Sequence, residues 1–323
     1  MSIAPIILFL VSCGLIIFAG KWVVSSLLDI ARFLGWKEFV VAFFAFSLGS
    51  VAPEFFIGIS SALHGIPELS LGNIIGQNIL LLTVTVAVSA LVLRGGIRIQ
   101  SQTVKVGSTF AVIAAVLPLI MVLDGTLSRI DGLILIFTFA GFTVWLFSKK
   151  ERFSKIYQDE ISESSSVGLN TFFKKIFIFI GSLALLVVSA EGIIRSSLGF
   201  AEGLGFSVPF VGLLIVAIGT GLPETYISFN LAKRGQSWMI LGGLMGAVAL
   251  SSTMVLGLIS VIQPIVIPAS ELAHLTLARI FLLLSALFFL FFVKTGRQIS
   301  KKEAIFLLLF YAVFVFSLLY LPG

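Results

Sequence analysis

A proline followed directly by a glutamate stands twice in this chain, at Pro53-Glu54 and at Pro223-Glu224, 170 residues apart. Each pair lies in the middle of an apolar segment long enough to cross a bilayer. A charged side chain near the bilayer centre costs roughly 2.5–3.5 kcal/mol on insertion scales. Proline removes a backbone donor and clashes with the preceding turn. Two such pairs at matched positions demand a compensating partner twice over, and a cation bound by the carboxylates supplies one.

The rest of the chain fits that setting. Of 323 residues 59% are hydrophobic, the mean hydropathy is +1.16 and only 11% are charged, against about 25% charged in soluble domains. An all-α integral membrane protein is expected. At about 20 apolar residues per crossing, ten spans are expected, at 3–29, 38–63, 69–93, 105–123, 130–148, 174–200, 208–232, 238–263, 274–293 and 303–321. The start of the chain has no charged n-region or cleavage site, so the first segment reads as a retained helix. The polar stretch 149–173 divides the chain into halves at 1–148 and 174–323. With the N-terminus outside, 17 of the 21 lysines and arginines fall in inner loops or the divider, as the positive-inside rule requires. That places both termini outside and 149–173 in the cytoplasm, as a charged linker. The net charge of +6 therefore belongs to membrane flanks and implies no nucleic-acid partner. The single cysteine, Cys13, excludes an intramolecular disulfide and a cysteine metal cluster.

The halves repeat. An offset of 170 carries Leu34-Gly35 to Leu204-Gly205, Gly49 to Gly219, Pro53-Glu54 to Pro223-Glu224, Gly72 to Gly242 and Gly76 to Gly246. Five spans per half place the second half upside down relative to the first. Two inverted-topology five-helix repeats are expected, with binding near the midplane where they meet.

Gly49, Pro53, Gly219 and Pro223 are expected to break their helices and free carbonyl oxygens. Such backbone is tolerated at membrane depth only when buried in protein or lining a wet cavity. Carbonyls and carboxylates are hard ligands, suited to Ca²⁺, Na⁺ or H⁺. Glu54 and Glu224 are the expected metal ligands, and the hydroxyls of Ser50, Thr220 and Ser251 are candidate cation ligands beside them. Gln77 and Asn78 either join the site or bond between helices. Gly72, Gly76, Gly242 and Gly246 either pack helices closely or let backbone reach the ion. Lys21 and Glu191 are related by the same offset but fall toward opposite faces, so both are expected to snorkel.

The stretches Gly49-Ser50-Val51-Ala52-Pro53-Glu54, Gly72-Asn73-Ile74-Ile75-Gly76-Gln77-Asn78 and Gly219-Thr220-Gly221-Leu222-Pro223-Glu224 resemble the two α-repeats of the sodium/calcium exchanger (cation/Ca²⁺ antiporter) superfamily. Asp124-Gly125 with Asp131-Gly132 resembles a pattern of its prokaryotic members. The resemblance covers essentially the whole chain. It implies secondary active antiport of Ca²⁺ against Na⁺ or H⁺, with Glu54 and Glu224 at the centre of the site and spans 1 and 6 sliding past the others. Ser25-Ser26 and Ser196-Ser197 suit a smooth sliding contact.

The chain departs from the family pattern at its polar shell. The motif serines become Val51, Gln77, Gly221 and Ala247, and the last Asn/Asp position becomes Leu81 in one repeat and Ser251, which keeps a hydroxyl, in the other. Two carboxylates balance one Ca²⁺, two Na⁺ or two H⁺. A shell depleted of hydroxyls and amides favours protonation as the exchanging step. The expectation is a monomeric antiporter in the cell membrane whose partners are lipid and small inorganic cations, with no cofactor beyond the transported Ca²⁺ and Na⁺ or H⁺. Proton-coupled antiport of Na⁺, K⁺ or Mn²⁺ is one alternative and a degenerate, non-transporting homologue another. No nucleophile–base pair points to an enzyme.

Overall fold

The structure, a computed structural model, describes residues 3–33, 38–98, 102–148, 169–295 and 298–320. We number its long helices in chain order: α1 (Ala4–Phe33), α2 (Glu38–Leu63), α3 (Glu68–Val92), α4 (Gln102–Met121), α5 (Arg129–Ser148), α6 (Leu169–Leu204), α7 (Val208–Lys233), α8 (Ser237–Leu250, continuing through Leu256–Ile262), α9 (Leu272–Thr295) and α10 (Lys301–Tyr320). Eight of them, α1, α3, α4 and α6 to α10, are long and apolar enough among the described residues to cross a membrane. The chain is an integral membrane protein. The linker call at 149–173 lies outside the described residues up to residue 168.

Element ends recur at the offset read from the sequence. α2 ends at Leu63 and α7 at Lys233. Each end is closed by a glycine of positive φ, Gly65 at 74° and Gly235 at 76°. Ile66 N–H bonds the Ser61 carbonyl and Gly65 N–H that of Ala62, while Gln236 bonds Leu231 and Gly235 bonds Ala232, at 3.0–3.1 Å. This is the paired-bond helix stop in which only glycine enters the left-handed region without cost. Further on, α3 and α8 each contain one wide π turn, at Leu81–Thr85 and Ser251–Val255. In both turns a threonine hydroxyl, Thr83 or Thr253, bonds the carbonyl four residues back at 2.5 Å. Each hydroxyl thereby adds a bond to a carbonyl of its own helix beside the turn.

Two short antiparallel strand pairs tie the halves together. Ile97 pairs with Ile299 and Arg98 with Gln298; Thr126 pairs with Val266 and Leu127 with Ile265. The Asp-Gly pattern serves the second pair. Asp124 Oδ1 accepts from Thr126 N at 2.9 Å, Gly125 turns at φ 86°, and Asp131 Oδ2 accepts from Ser128 N at 2.9 Å at the start of α5.

Two apolar cores result. The larger is built mainly on α3, α4 and α7 to α10, and the smaller on α1 and α6 with residues of α2 and α7, including Phe9, Ile16, Ile57, Ile193 and Val216. α1 lies along α6, and Asp29 pairs with Lys175 between them at 2.6 Å. Ser26, Ser196 and Ser197 are buried. Ser196 and Ser197 both bond the Ile193 carbonyl of their own helix, so they present small, internally satisfied surface.

Two expectations are corrected here. The helices do not break at the Gly…Pro-Glu stretches. Helix runs through Pro53 in α2 and through Pro223 in α7, and the departure from α geometry in α7 is a π turn at Gly212–Val216. A single proline deletes one backbone bond, and packing on both sides holds the remainder in line. Glu191 does not snorkel. It accepts from Arg195 Nε at 2.7 Å, faces His64 Nε2 at 3.3 Å and accepts from Ser60 Oγ at 3.4 Å, joining α6 to the end of α2. The Lys21 ammonium lies 5.8 Å from the Phe18 ring.

Candidate functional site

α3 is the platform on which the site is built. Every residue from Leu69 to Leu80 is buried, and α2, α7 and α8 all pack against it. Its glycines allow that. A Cβ at Gly72 would strike the Pro209 carbonyl and lie 3.0 Å from Leu213 N; one at Gly76 would strike the Leu213 carbonyl and lie 2.8 Å from the Ala217 Cβ. The approach is mutual, since a Cβ at Gly212 would strike the Leu69 carbonyl and lie 3.0 Å from Asn73 N. Small residues that bring two backbones together are the packing rule of apolar media, where helices gain nothing from leaving lipid. Gly219 instead packs on α1, its Cβ position 2.8 Å from Phe9 Cζ and 3.0 Å from Cys13 Sγ. No described atom lies within 4 Å of a Cβ at Gly242 or Gly246.

This contact sets the polar groups of α3 against the two carboxyls. Glu54 is 1% exposed and Glu224 7%, and they are close enough to interact electrostatically. Gln77 Nε2 donates to Glu54 Oε1. Thr220 Oγ1 donates to Asn73 Oδ1 at 3.0 Å and to its own helix at the Val216 carbonyl, 3.1 Å. Thr85 and Thr225 share a hydroxyl contact of 2.7 Å between α3 and α7. Four buried polar atoms have no hydrogen-bond partner here: Glu54 Oε2, Gln77 Oε1, Glu224 Oε2 and Asn73 Nδ2. An unmade bond at a buried polar atom costs about 1–3 kcal/mol, more if the group is charged. Three of the four are oxygens, the atom type that a hard cation takes.

Asn78 and Ser251 occupy a neighbouring clasp. Asn78 Nδ2 donates to Ser252 Oγ at 2.7 Å, and Ser251 Oγ donates to Asn78 Oδ1 at 3.3 Å. Both ends of the amide are thereby engaged with α8 at its π turn. Hydrogen bonds between membrane helices average about 0.6 kcal/mol, so Asn78→Ala is expected to lower stability by about 1 kcal/mol and to leave cation uptake within a few-fold. Thermal unfolding with uptake measured on the same preparation tests this, and a loss of uptake comparable to that of a carboxylate variant would make Asn78 a ligand instead. Ser50 lies within α2, but its side chain, like every side chain from residue 31 to 50, is outside those described.

The site also holds Asn73, which stands in the 72–78 motif without having been named as a site residue, and Ser252, Thr85 and Thr225, which lie outside the motifs. The sequence carries a signal for two of these four. Asn73 stands four residues before Gln77, and Thr85 seven after Asn78, so on a helix each shares a face with a residue already suspected.

Comparison with known proteins places this geometry among cation exchangers. The family model described as sodium/calcium exchanger protein matches residues 4–148 and 174–320. The sodium/calcium exchanger MaX1 of Methanosarcina acetivorans is 24% identical, with 98% of each chain covered. The putative antiporter CaxA of Alkalimonas amylolytica is 26% identical over 94% of this chain and 95% of its own. Among solved structures, the H⁺/Ca²⁺ exchanger CAX superposes with a TM-score of 0.74 at 17% identity, covering 99% of this chain and 82% of that one. The sodium-calcium exchanger NCX_Mj gives 0.62 at 22% identity over the whole of both chains.

Proposed function

This chain belongs to the sodium/calcium exchanger protein family, and we propose that it is a secondary active antiporter exchanging Ca²⁺ for Na⁺ or H⁺ across the cell membrane. Glu54 and Glu224 hold the cations, with the Gln77 carbonyl oxygen as a neutral ligand and Thr220 and Asn73 steadying α7 against α3. One observation carries the reading: three unpaired buried oxygens, Glu54 Oε2, Gln77 Oε1 and Glu224 Oε2, gather on three helices. A protein that only needed to pack this region would do so more cheaply with neutral side chains.

The architecture proposed for it is two inverted-topology five-helix repeats, 1–148 and 174–323, joined by a cytoplasmic linker at 149–173, with both termini outside. The recurrence of helix ends and π turns at one offset supports this arrangement. The smaller core, in which α1 and α6 pack on residues of α2 and α7, is the apolar contact across which such a pair would move against the rest.

Of the two coupling ions, H⁺ is favoured by the Gln77 amide. Its N–H occupies one oxygen of Glu54, which leaves fewer oxygens for multiple Na⁺ ions but none fewer for protons. The deciding measurement is ⁴⁵Ca²⁺ uptake into proteoliposomes under an outward Na⁺ gradient and, separately, under a pH gradient. Na⁺-driven uptake would identify Na⁺ as the coupling ion, and uptake driven by ΔpH alone would identify H⁺. Absence of uptake under both gradients would overturn Ca²⁺ antiport.

A further inference from the structure

One feature of the bilayer-facing surface has no part in the exchange reaction. Between α9 and α10 lies an open cavity of about 900 Å³. Its walls include Leu287, Phe288, Phe291 and Phe306, and its lip carries Lys294 and Lys302. The aromatic wall is a built surface: Phe288 meets Phe306 edge to face at 5.0 Å, and Phe292 meets Phe306 at 6.3 Å. Leu287, Phe291 and Phe306 remain 47%, 59% and 42% exposed, as suits a face open to acyl chains rather than to a further helix. Lys294 closes α9 and Lys302 opens α10, so both ammonium groups stand at one end of the apolar groove, at the depth where a membrane helix meets the headgroups.

The acidic and hydroxyl groups at the same lip are already engaged. Glu303 Oε2 accepts from Ser300 N at 2.6 Å, and Glu303 N donates to Ser300 Oγ at 3.3 Å, which starts α10. Thr295 Oγ1 donates to the Phe291 carbonyl at 2.6 Å. Among the described lining groups the two lysines are the cations and Glu303 the one anion; its Oε2 is held by the Ser300 backbone N–H, and the lining keeps a net charge of +1.

The geometry points to a binding site for one anionic glycerophospholipid, its phosphate between Lys294 and Lys302 and an acyl chain along the phenylalanine wall. Charge complementarity selects the occupant. A zwitterionic lipid would fill the apolar groove equally well, but only a net negative headgroup gains from two ammonium groups at its mouth. Basic pockets between membrane helices at the headgroup level recognise lipids in this manner. α9 and α10 also pack on α3 through its π turn, so a lipid seated here braces the platform of the cation site.

The test uses the purified full chain in detergent, with phosphatidylglycerol and phosphatidylcholine of identical acyl chains as probes. Retained lipid is read by native mass spectrometry and the unfolding midpoint by a thermal ramp. Phosphatidylglycerol is expected to be retained as a single copy and to raise the midpoint more than phosphatidylcholine does. In Lys294→Gln/Lys302→Gln, apparent affinity for phosphatidylglycerol is expected to fall roughly 30-fold, from the contribution of two lysines near an anionic surface, while the response to phosphatidylcholine stays unchanged. Equal retention of the two lipids by the unaltered chain, or an undiminished preference for phosphatidylglycerol in the double variant, would overturn the assignment. Neither readout depends on transport, so the result is independent of the cation carried.

Discussion

Replacing Glu54 by glutamine is expected to reduce cation uptake at least 100-fold and to leave the protein as stable as before, or more so, when no cation is present. Glutamine keeps the shape of the side chain and can still meet the Gln77 amide, so packing is preserved. What disappears is a buried charge of the kind that costs roughly 2.5–3.5 kcal/mol in the membrane interior. The same result is expected for Glu224→Gln, whose Oε2 also lacks a partner. The two readouts together separate a binding site from a structural ion pair, because breaking a buried pair would destabilise the fold by about 3–5 kcal/mol. A third readout closes the case. Ligand that binds only the folded state stabilises it by about 2.7 kcal/mol at a hundred times its dissociation constant. The cation-dependent rise in unfolding midpoint should therefore be present in the unaltered chain and absent from either variant. Undiminished uptake by Glu54→Gln would end the proposal that this carboxylate carries the ion.

The second large effect is expected at Gly76. Alanine for glycine in a helix interior ordinarily gains about 1 kcal/mol, and Gly181, exposed on α6 with no atom within 4 Å of a Cβ, should show that gain. At Gly76 the added methyl meets the Leu213 carbonyl and the Ala217 side chain. The first of these is backbone and yields only if α3 and α7 separate. Overpacking costs about 1–3 kcal/mol, so Gly76→Ala should be destabilised, and Gly76→Leu should fail to give a monodisperse protein. Separation of the helices would also stretch the Thr220–Asn73 bond, so residual Gly76→Ala protein should transport more slowly. Unfolding midpoints for Gly76→Ala and Gly181→Ala, measured side by side, check the opposite signs. An equal gain at both positions would show that the close approach is not limiting.

Much of this was legible without coordinates. The spacing of apolar segments marked the eight helices that are long and apolar enough among the described residues to cross a membrane, although α1 and α6 each run several residues past the expected ends. The Pro-Glu pairs marked two of the three glutamates that the fold buries among the described residues, Glu271 being the third. The offset of 170, read from the Pro-Glu pairs and other glycines, recurs in the helix stops at Gly65 and Gly235 and in the paired π turns, which the sequence reading did not name. Less legible was the partner of each polar group. Of the partners of Glu191, Arg195 stands four residues on in the same helix, whereas His64 and Ser60 lie more than 120 residues away in sequence. The Gly…Pro-Glu stretches looked like breaks because local propensity penalises proline, whereas the surrounding packing holds a helix through it.

The division has a physical basis. Burial of an apolar stripe and the stop at a left-handed glycine are governed by residues within a few turns of one another, so the sequence by itself determined the helices, their repeat and the two glutamates within them. Hydrogen-bond partners and backbone approach depend on distances between helices that are far apart along the chain. Only the tertiary structure decided that Gly72, Gly76 and Gly212 would bring α3 and α7 into contact. It alone turned Gln77 toward Glu54, engaged Asn78 with Ser251 and Ser252, and left three oxygens of the site without partners. In an apolar medium helix association rests on such close fits, and which residues fit is settled by the shapes of both partners at once.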